Sequence, residues 1–167
     1  MTARTLVLLR HAKAETPGER PDADRHLTKR GRADASAAGS WLADEGLRPD
    51  LVLCSPATRA RQTWHGVAVA LAQADPAPEV HYEPGLYEGG RTEVIDLLRA
   101  VPDETSTVLV VGHNPTMSDV SLLLRPGANP DAAELKTAGM AVHRADDPWS
   151  QTEPGGMPLV DEHTGRG

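Results

Sequence analysis

Thr5-Leu6-Val7-Leu8-Leu9 runs without a break into Arg10-His11, and much later Thr107-Val108-Leu109-Val110-Val111 runs into Gly112-His113-Asn114-Pro115. Each is a short, continuous apolar run rich in Val and Leu. Strands of a parallel sheet, covered on both faces, read this way; a half-exposed strand would alternate. Shorter runs at Asp50–Cys54, Val80–Tyr82 and Met140–His143 extend the strand set. Between them lie segments with helical spacing. Thr28–Glu45 carries Ala33, Ala37, Trp41 and Leu42, with Gly46 as a stop; Pro56–Gln73 is Ala-rich and ends before Asp75-Pro76. Thr92–Val101 and Pro115–Arg125 carry apolar stripes closed by Pro102 and by Pro126-Gly127. Alternating strands and helices predict an α/β fold: a three-layer α/β/α sandwich around a mostly parallel sheet.

The chain has 167 residues, enough for one domain with a core, and 39% of them are hydrophobic. Phe is absent, so the core is built from Val, Leu, Ala and Trp. Residues 1–144 read as the domain. Residues 145–167, rich in Pro, Gly and acidic side chains, read as a flexible tail beyond it, with Trp149 as an anchor. One cysteine, Cys54, excludes an internal disulfide and a Cys metal cluster. Neither a signal-peptide pattern nor an apolar run of about 18 residues is visible, so the expectation is a cytoplasmic protein without a membrane partner. A net charge of −7 argues against nucleic acid as a partner. An anion can still bind where Arg and His converge locally.

Such a place is predicted at the carboxyl edge of the sheet, where ligands sit in open α/β folds. Arg10 and His11 follow the first strand. Ser55-Pro56-Ala57-Thr58-Arg59 follows the second, with Ser55 expected as helix cap and Pro56 as first helical residue. Gly112-His113 follows the fourth strand, with Asn114 and Pro115 repeating the cap-and-proline design. Taken alone, each of these reads more readily as an ordinary loop, structural or helix-surface residue. Together, three strand ends deliver Arg or His to one edge. Cys54 reads as a buried apolar residue without a Cys-x5-Arg phosphate loop, and His65, His81, His143 and His163 have no comparable context.

Arg10-His11, Ser55-Pro56-x-x-Arg59-Ala60-x-Gln62-Thr63 and Gly112-His113 resemble the histidine phosphatase superfamily, which includes phosphoglycerate mutases and acid phosphatases. The length, Ala12-Lys13 and Gly112-His113-Asn114-Pro115 are most similar to its short SixA-type branch of phosphohistidine phosphatases, over about residues 3 to 143. The resemblance implies a phosphoglycerate mutase-like fold and a catalytic set of Arg10, His11, Arg59 and His113. His11 would be the nucleophile that becomes phosphohistidine, and the other three would hold the phosphoryl group. It implies no cofactor and no metal, and a phosphorylated protein or a small phosphorylated metabolite as partner. Leu27-Thr28-x-x-Gly31 matches a family Pro-Leu-Thr-x-x-Gly segment, with His26 in place of the proline. Larger members carry a carboxylic acid that protonates the leaving group. Glu88, in Leu86-Tyr87-Glu88-Gly89-Gly90, is the local candidate. Alternative readings are a small-molecule phosphomonoesterase or mutase of the same superfamily, a phosphate-binding regulatory module, and a metal-dependent hydrolase using His11 and His113. The last lacks the paired carboxylates or His-x-His that would complete a metal site.

Overall fold

In a computed structural model describing residues 3–72, 77–127 and 132–167, six strands form one sheet in the order β3-β2-β4-β1-β5-β6. The strands are β1 (Arg4–Arg10), β2 (Leu51–Cys54), β3 (Glu79–Tyr82), β4 (Thr107–Gly112), β5 (Gly139–Ala145) and β6 (Leu159–Thr164). The first four are mutually parallel, while β5 and β6 join antiparallel. The helices are α1 (Lys29–Asp44), α2 (Thr58–Ala70), the short α3 (Gly85–Glu88), α4 (Arg91–Arg99) and α5 (Thr116–Leu124).

The continuous apolar runs are explained by two cores. Side chains alternate across a strand, so Leu6 and Leu8 enter a cluster with Val94, Leu98, Met117 and Val120 from α4 and α5. Val7 and Leu9 enter a second cluster with Ala38, Leu42, Trp64 and Val67 from α1 and α2. These are the three layers expected. Among the described residues no helix is long and apolar enough to cross a membrane.

Several sequence expectations differ from the structure. The segment from Ala145 onward does not leave the fold. β6 pairs with β5, Trp149 is 1% exposed, and its indole Nε1 donates to the Thr105 carbonyl at 2.8 Å. Met157 fills the same core, and the His163 ring stacks on Trp41 at 4.7 Å between centroids. An edge strand faces solvent, so its polar sequence looks like a tail; two buried side chains too far apart to form a period fasten it. Next, α2 begins at Thr58, with Ala57 as cap, instead of at Pro56. The Ser55 hydroxyl does accept a backbone N–H, but it is that of Ala57, closing a turn ahead of the helix. Likewise Pro115 is the cap of α5, while Asn114 Oδ1 accepts from the Ser118 N–H. Finally, α2 ends at Ala70; the expected end at Gln73 and the stop at Asp75-Pro76 fall on or beside residues outside those described.

Candidate active site

Strand register brings the three motifs together. Arg10 lies beside Gly112, and Leu9 and Cys54 flank Val111 on either side. The His11 N–H donates to the Gly112 carbonyl at 2.9 Å and the Ser55 N–H to the Val111 carbonyl at 3.0 Å, so the strand ends remain tied as they leave the sheet. The imidazoles of His11 and His113 then stand 5.1 Å apart between centroids. Arg59 enters from the first turn of α2 and is 6% exposed.

The loop after β1 is held by the motif residues themselves. Thr63 Oγ1 accepts from the Ala12 N–H at 3.0 Å and donates to the Arg59 carbonyl at 2.7 Å. Gln62 Oε1 accepts from the Leu27 N–H at 2.7 Å. Thr28 caps α1 by accepting from the Gly31 N–H, and its own N–H donates to the Lys13 carbonyl. Gly31 lies so close to that carbonyl that a Cβ would collide with it. His26, standing where the resemblance expects proline, fits the same loop through paired bonds: its N–H donates to Glu15 Oε1 and its carbonyl accepts the Glu15 N–H.

The protonation of His11 follows from its partners. His11 Nδ1 lies 2.8 Å from the Ala12 carbonyl, which can only accept, so Nδ1 carries the proton and Nε2 keeps its lone pair. Burial pushes the His11 pKa down to about 3, only partly opposed by that carbonyl, and the neighbouring His113, Arg59 and Arg10 push the same way. Burial, with Arg59 second, takes His113 to about 4. Both rings are neutral at pH 7. Arg10 donates through Nη1 to the Leu135 carbonyl at 3.0 Å. Burial lowers its pKa, with Glu134 opposing.

Sequence reasoning missed two residues here. Asp22, in a single 3-10 turn (Asp22–Asp24), holds Arg59 twice: its carbonyl accepts from Nη1 at 2.7 Å and Oδ2 from Nη2 at 3.0 Å. Asp22 also pairs with Arg25 at 3.0 Å and accepts from the Tyr87 hydroxyl at 2.7 Å. The Tyr87 bond, then Arg59 and Arg25, hold the Asp22 carboxyl down at about 2 against its partial burial. Tyr87 meets His113 edge-on at 5.6 Å and lies 6.0 Å from the Arg59 guanidinium carbon. An Asp in a polar loop carries no sequence signal. Tyr87 is the neighbour of the acid candidate Glu88: Glu88 is exposed, and the side chain next to it turns into the cluster.

Three nitrogens of this cluster are buried and lack a hydrogen-bond partner among the described residues: the guanidinium Nε–H of Arg10 and of Arg59, and the ring Nδ1 of His113. Buried polar atoms are normally satisfied, and two unpartnered guanidinium donors beside a ring nitrogen suit the acceptor oxygens of an anion. Two fixed cations and a neutral imidazole nucleophile can hold and attack a phosphoryl group. Cys54, which lies beneath this edge, is fully buried and burial pushes its thiol up to about 12, so it is no nucleophile near neutrality. Among the described residues no three His, Cys, Asp or Glu side chains are grouped so as to hold a metal ion.

A sequence profile of the histidine phosphatase superfamily (branch 1) matches residues 6–105. An uncharacterized protein of Mycobacterium tuberculosis is 38% identical over 165 residues, covering 95% of this chain and all of that one. A structure from Nakamurella multipartitia, named as a candidate phosphohistidine phosphatase SixA, superposes with TM-score 0.84 at 34% identity, covering 99% of this chain and 98% of that one. Its counterpart from Agrobacterium tumefaciens, named likewise, gives TM-score 0.78 at 28% identity over 96% and 97%.

Proposed function

The chain belongs to the histidine phosphatase superfamily, and from that premise we propose that it hydrolyses phosphohistidine on protein through a covalent phospho-His11. The observation that carries this reading is the trio of buried nitrogens on Arg10, Arg59 and His113, unpartnered among the described residues, beside a neutral, oriented imidazole. Substrate phosphate oxygens accept from Arg10, Arg59 and His113. The His11 Nε2 lone pair forms a bond to phosphorus as the bond to the leaving group breaks. Water then attacks phosphorus, the P–N bond breaks back onto Nε2, and inorganic phosphate leaves while the spare proton goes to solvent. Positive charge for both steps comes from Arg10 and Arg59, so the reaction runs without a divalent metal.

The substrate class follows from the acid. The carboxylate that enters the site, Asp22, is bound by Arg25, Arg59 and Tyr87 and held at about 2, so it is ionised and cannot donate a proton near neutrality. An alkoxide leaving group needs such a donor, worth about 10²–10⁴-fold. An imidazole titrates near neutrality on its own and takes its proton from solvent. The N. multipartitia and A. tumefaciens structures carry a SixA phosphohistidine phosphatase name, which accords with this class. A second reading, a small-molecule phosphomonoesterase, requires a proton source other than Asp22.

The test is a panel of phosphohistidine protein, an aryl phosphate and an alkyl phosphate, run in excess chelator, with wild type and His11→Ala. Turnover is expected for the first two, slowest for the alkyl ester, with acid-labile phosphate on the wild type alone. Activity lost in chelator and restored by zinc or magnesium refutes the metal-free reading. Alkyl esters turned over as fast as phosphohistidine refute the substrate class.

A further inference from the structure

Ser55 is fully buried at the end of β2, directly beneath the cluster. Its hydroxyl has two partners. Ala57 N–H donates to Oγ at 3.2 Å, and His113 Nε2 lies 2.7 Å from the same oxygen. The remaining ring nitrogen, His113 Nδ1, is buried and has no hydrogen-bond partner among the described residues. Resting on the function proposed above, we infer that Ser55 is a positioning residue that fixes the tautomer of His113, so that Nδ1–H faces the phosphoryl oxygens.

The argument is one of hydrogen-bond inventory. A hydroxyl has one proton and two lone pairs. The Ala57 N–H takes one lone pair. If His113 were protonated at Nε2 it would take the second, and the Ser55 proton would be left in a dry site with no acceptor among the described residues. It would also leave a bare lone pair at Nδ1 pointed toward an arriving anion. If Ser55 instead donates to Nε2, every group is satisfied except Nδ1–H, and that orphan becomes the third donor for phosphate. Isolated neutral imidazole prefers the opposite tautomer only slightly, so one strong bond at 2.7 Å decides.

A hydroxyl suits this post better than a carboxylate. A carboxylate would hold His113 as a permanent cation and weaken the attack by His11, 5.1 Å away between ring centroids. Ser55 keeps the ring neutral at rest.

The tautomer is read directly from the ring ¹⁵N shifts of His113 at pH 7 in ¹⁵N-labelled, unliganded wild-type protein, with assignment by loss of the signals in His113→Gln. Nδ1 is expected as the protonated nitrogen and Nε2 as the bare one. In Ser55→Ala the signals are expected to shift toward the Nε2–H form, with kcat/KM on an aryl phosphate reduced about tenfold or more, the usual scale for a lost orienting partner behind a functional histidine. The activity loss alone would not discriminate, since Ala57 also loses its acceptor. The wild-type spectrum does, and it is readable even if Ser55→Ala fails to fold. A wild-type His113 protonated at Nε2, or an unchanged ring spectrum in folded Ser55→Ala, overturns the inference. The covalent mechanism is tested separately by phosphate on His11, so an Nδ1–H ring in a protein that never forms phospho-His11 would refute the function and leave the tautomer assignment standing.

Discussion

His143 makes the protein's response to acid quantitative, away from the chemistry. Its ring is fully buried in β5. Nδ1 lies 2.8 Å from the Met157 carbonyl and therefore donates; Nε2 lies 2.8 Å from Ser121 Oγ and accepts its proton. Ser121 Oγ already receives Arg125 Nη2 at 3.2 Å, so a protonated ring would meet a cation and a hydroxyl with a lone pair already used. Burial takes the His143 pKa down to about 4, with Arg125 adding to the fall and the Met157 carbonyl opposing it. In the unfolded chain the group titrates near 6.5. Between those values the unfolded state binds a proton that the folded state refuses, so stability falls as pH falls from 6.5 and levels off below about 4. At pH 5 the unfolded group lies about 1.5 units below its pKa while the folded one is still mostly neutral. At about 1.36 kcal/mol per unit, His143 alone costs about 2 kcal/mol. That is a large fraction of the roughly 5–15 kcal/mol that holds a domain together. The assay is urea unfolding followed by Trp fluorescence at pH 7 and pH 5, for wild type and His143→Gln. The amide can donate to Met157 and accept from Ser121 but cannot titrate. His11 and His113 respond with the same sign but are present in both proteins and cancel in the comparison. The stability lost between pH 7 and pH 5 should be about 2 kcal/mol smaller in the variant; equal losses would show that His143 is not held neutral as its bonds require.

Glu88→Gln should change kcat/KM by less than about twofold on aryl and alkyl phosphates alike, because the side chain is exposed while its neighbour Tyr87 lines the cluster; a loss of about a hundredfold confined to alkyl esters would make Glu88 the acid. Gly31→Ala should destabilise the protein by about 1–3 kcal/mol, since the new methyl meets the Lys13 carbonyl and must push back the loop that follows His11. A thermal-unfolding midpoint unchanged from wild type would refute that close approach.

The residues after β1, β2 and β4 were legible because two independent local signals coincide there. A continuous apolar run says parallel strand, and the side chains that follow such strands emerge at one edge of the sheet; that is why the sequence alone groups Arg10, His11, Arg59 and His113. The layers follow from the same period, since Leu6 and Leu8 must face opposite to Val7 and Leu9. What was not legible depends on contacts between segments far apart in the chain. Asp22 sits in a polar loop and acquires its part only because Arg59 and Tyr87, from two other segments, close on it. β6 looks like a tail because an edge strand is paired through its backbone and shows polar side chains to solvent, while Trp149 and Met157, which fasten it, are too widely spaced to form a period. Nothing local separates Ser55 the helix cap from Ser55 the partner of His113. Both need a serine at the strand end, and only the pairing of β2 beside β4 brings the imidazole within 2.7 Å of the hydroxyl. Local pattern fixes which backbone groups pair and which edge a side chain leaves from. Which polar side chain it then meets is decided by tertiary packing, because a hydrogen bond depends on tenths of an ångström that no periodicity encodes.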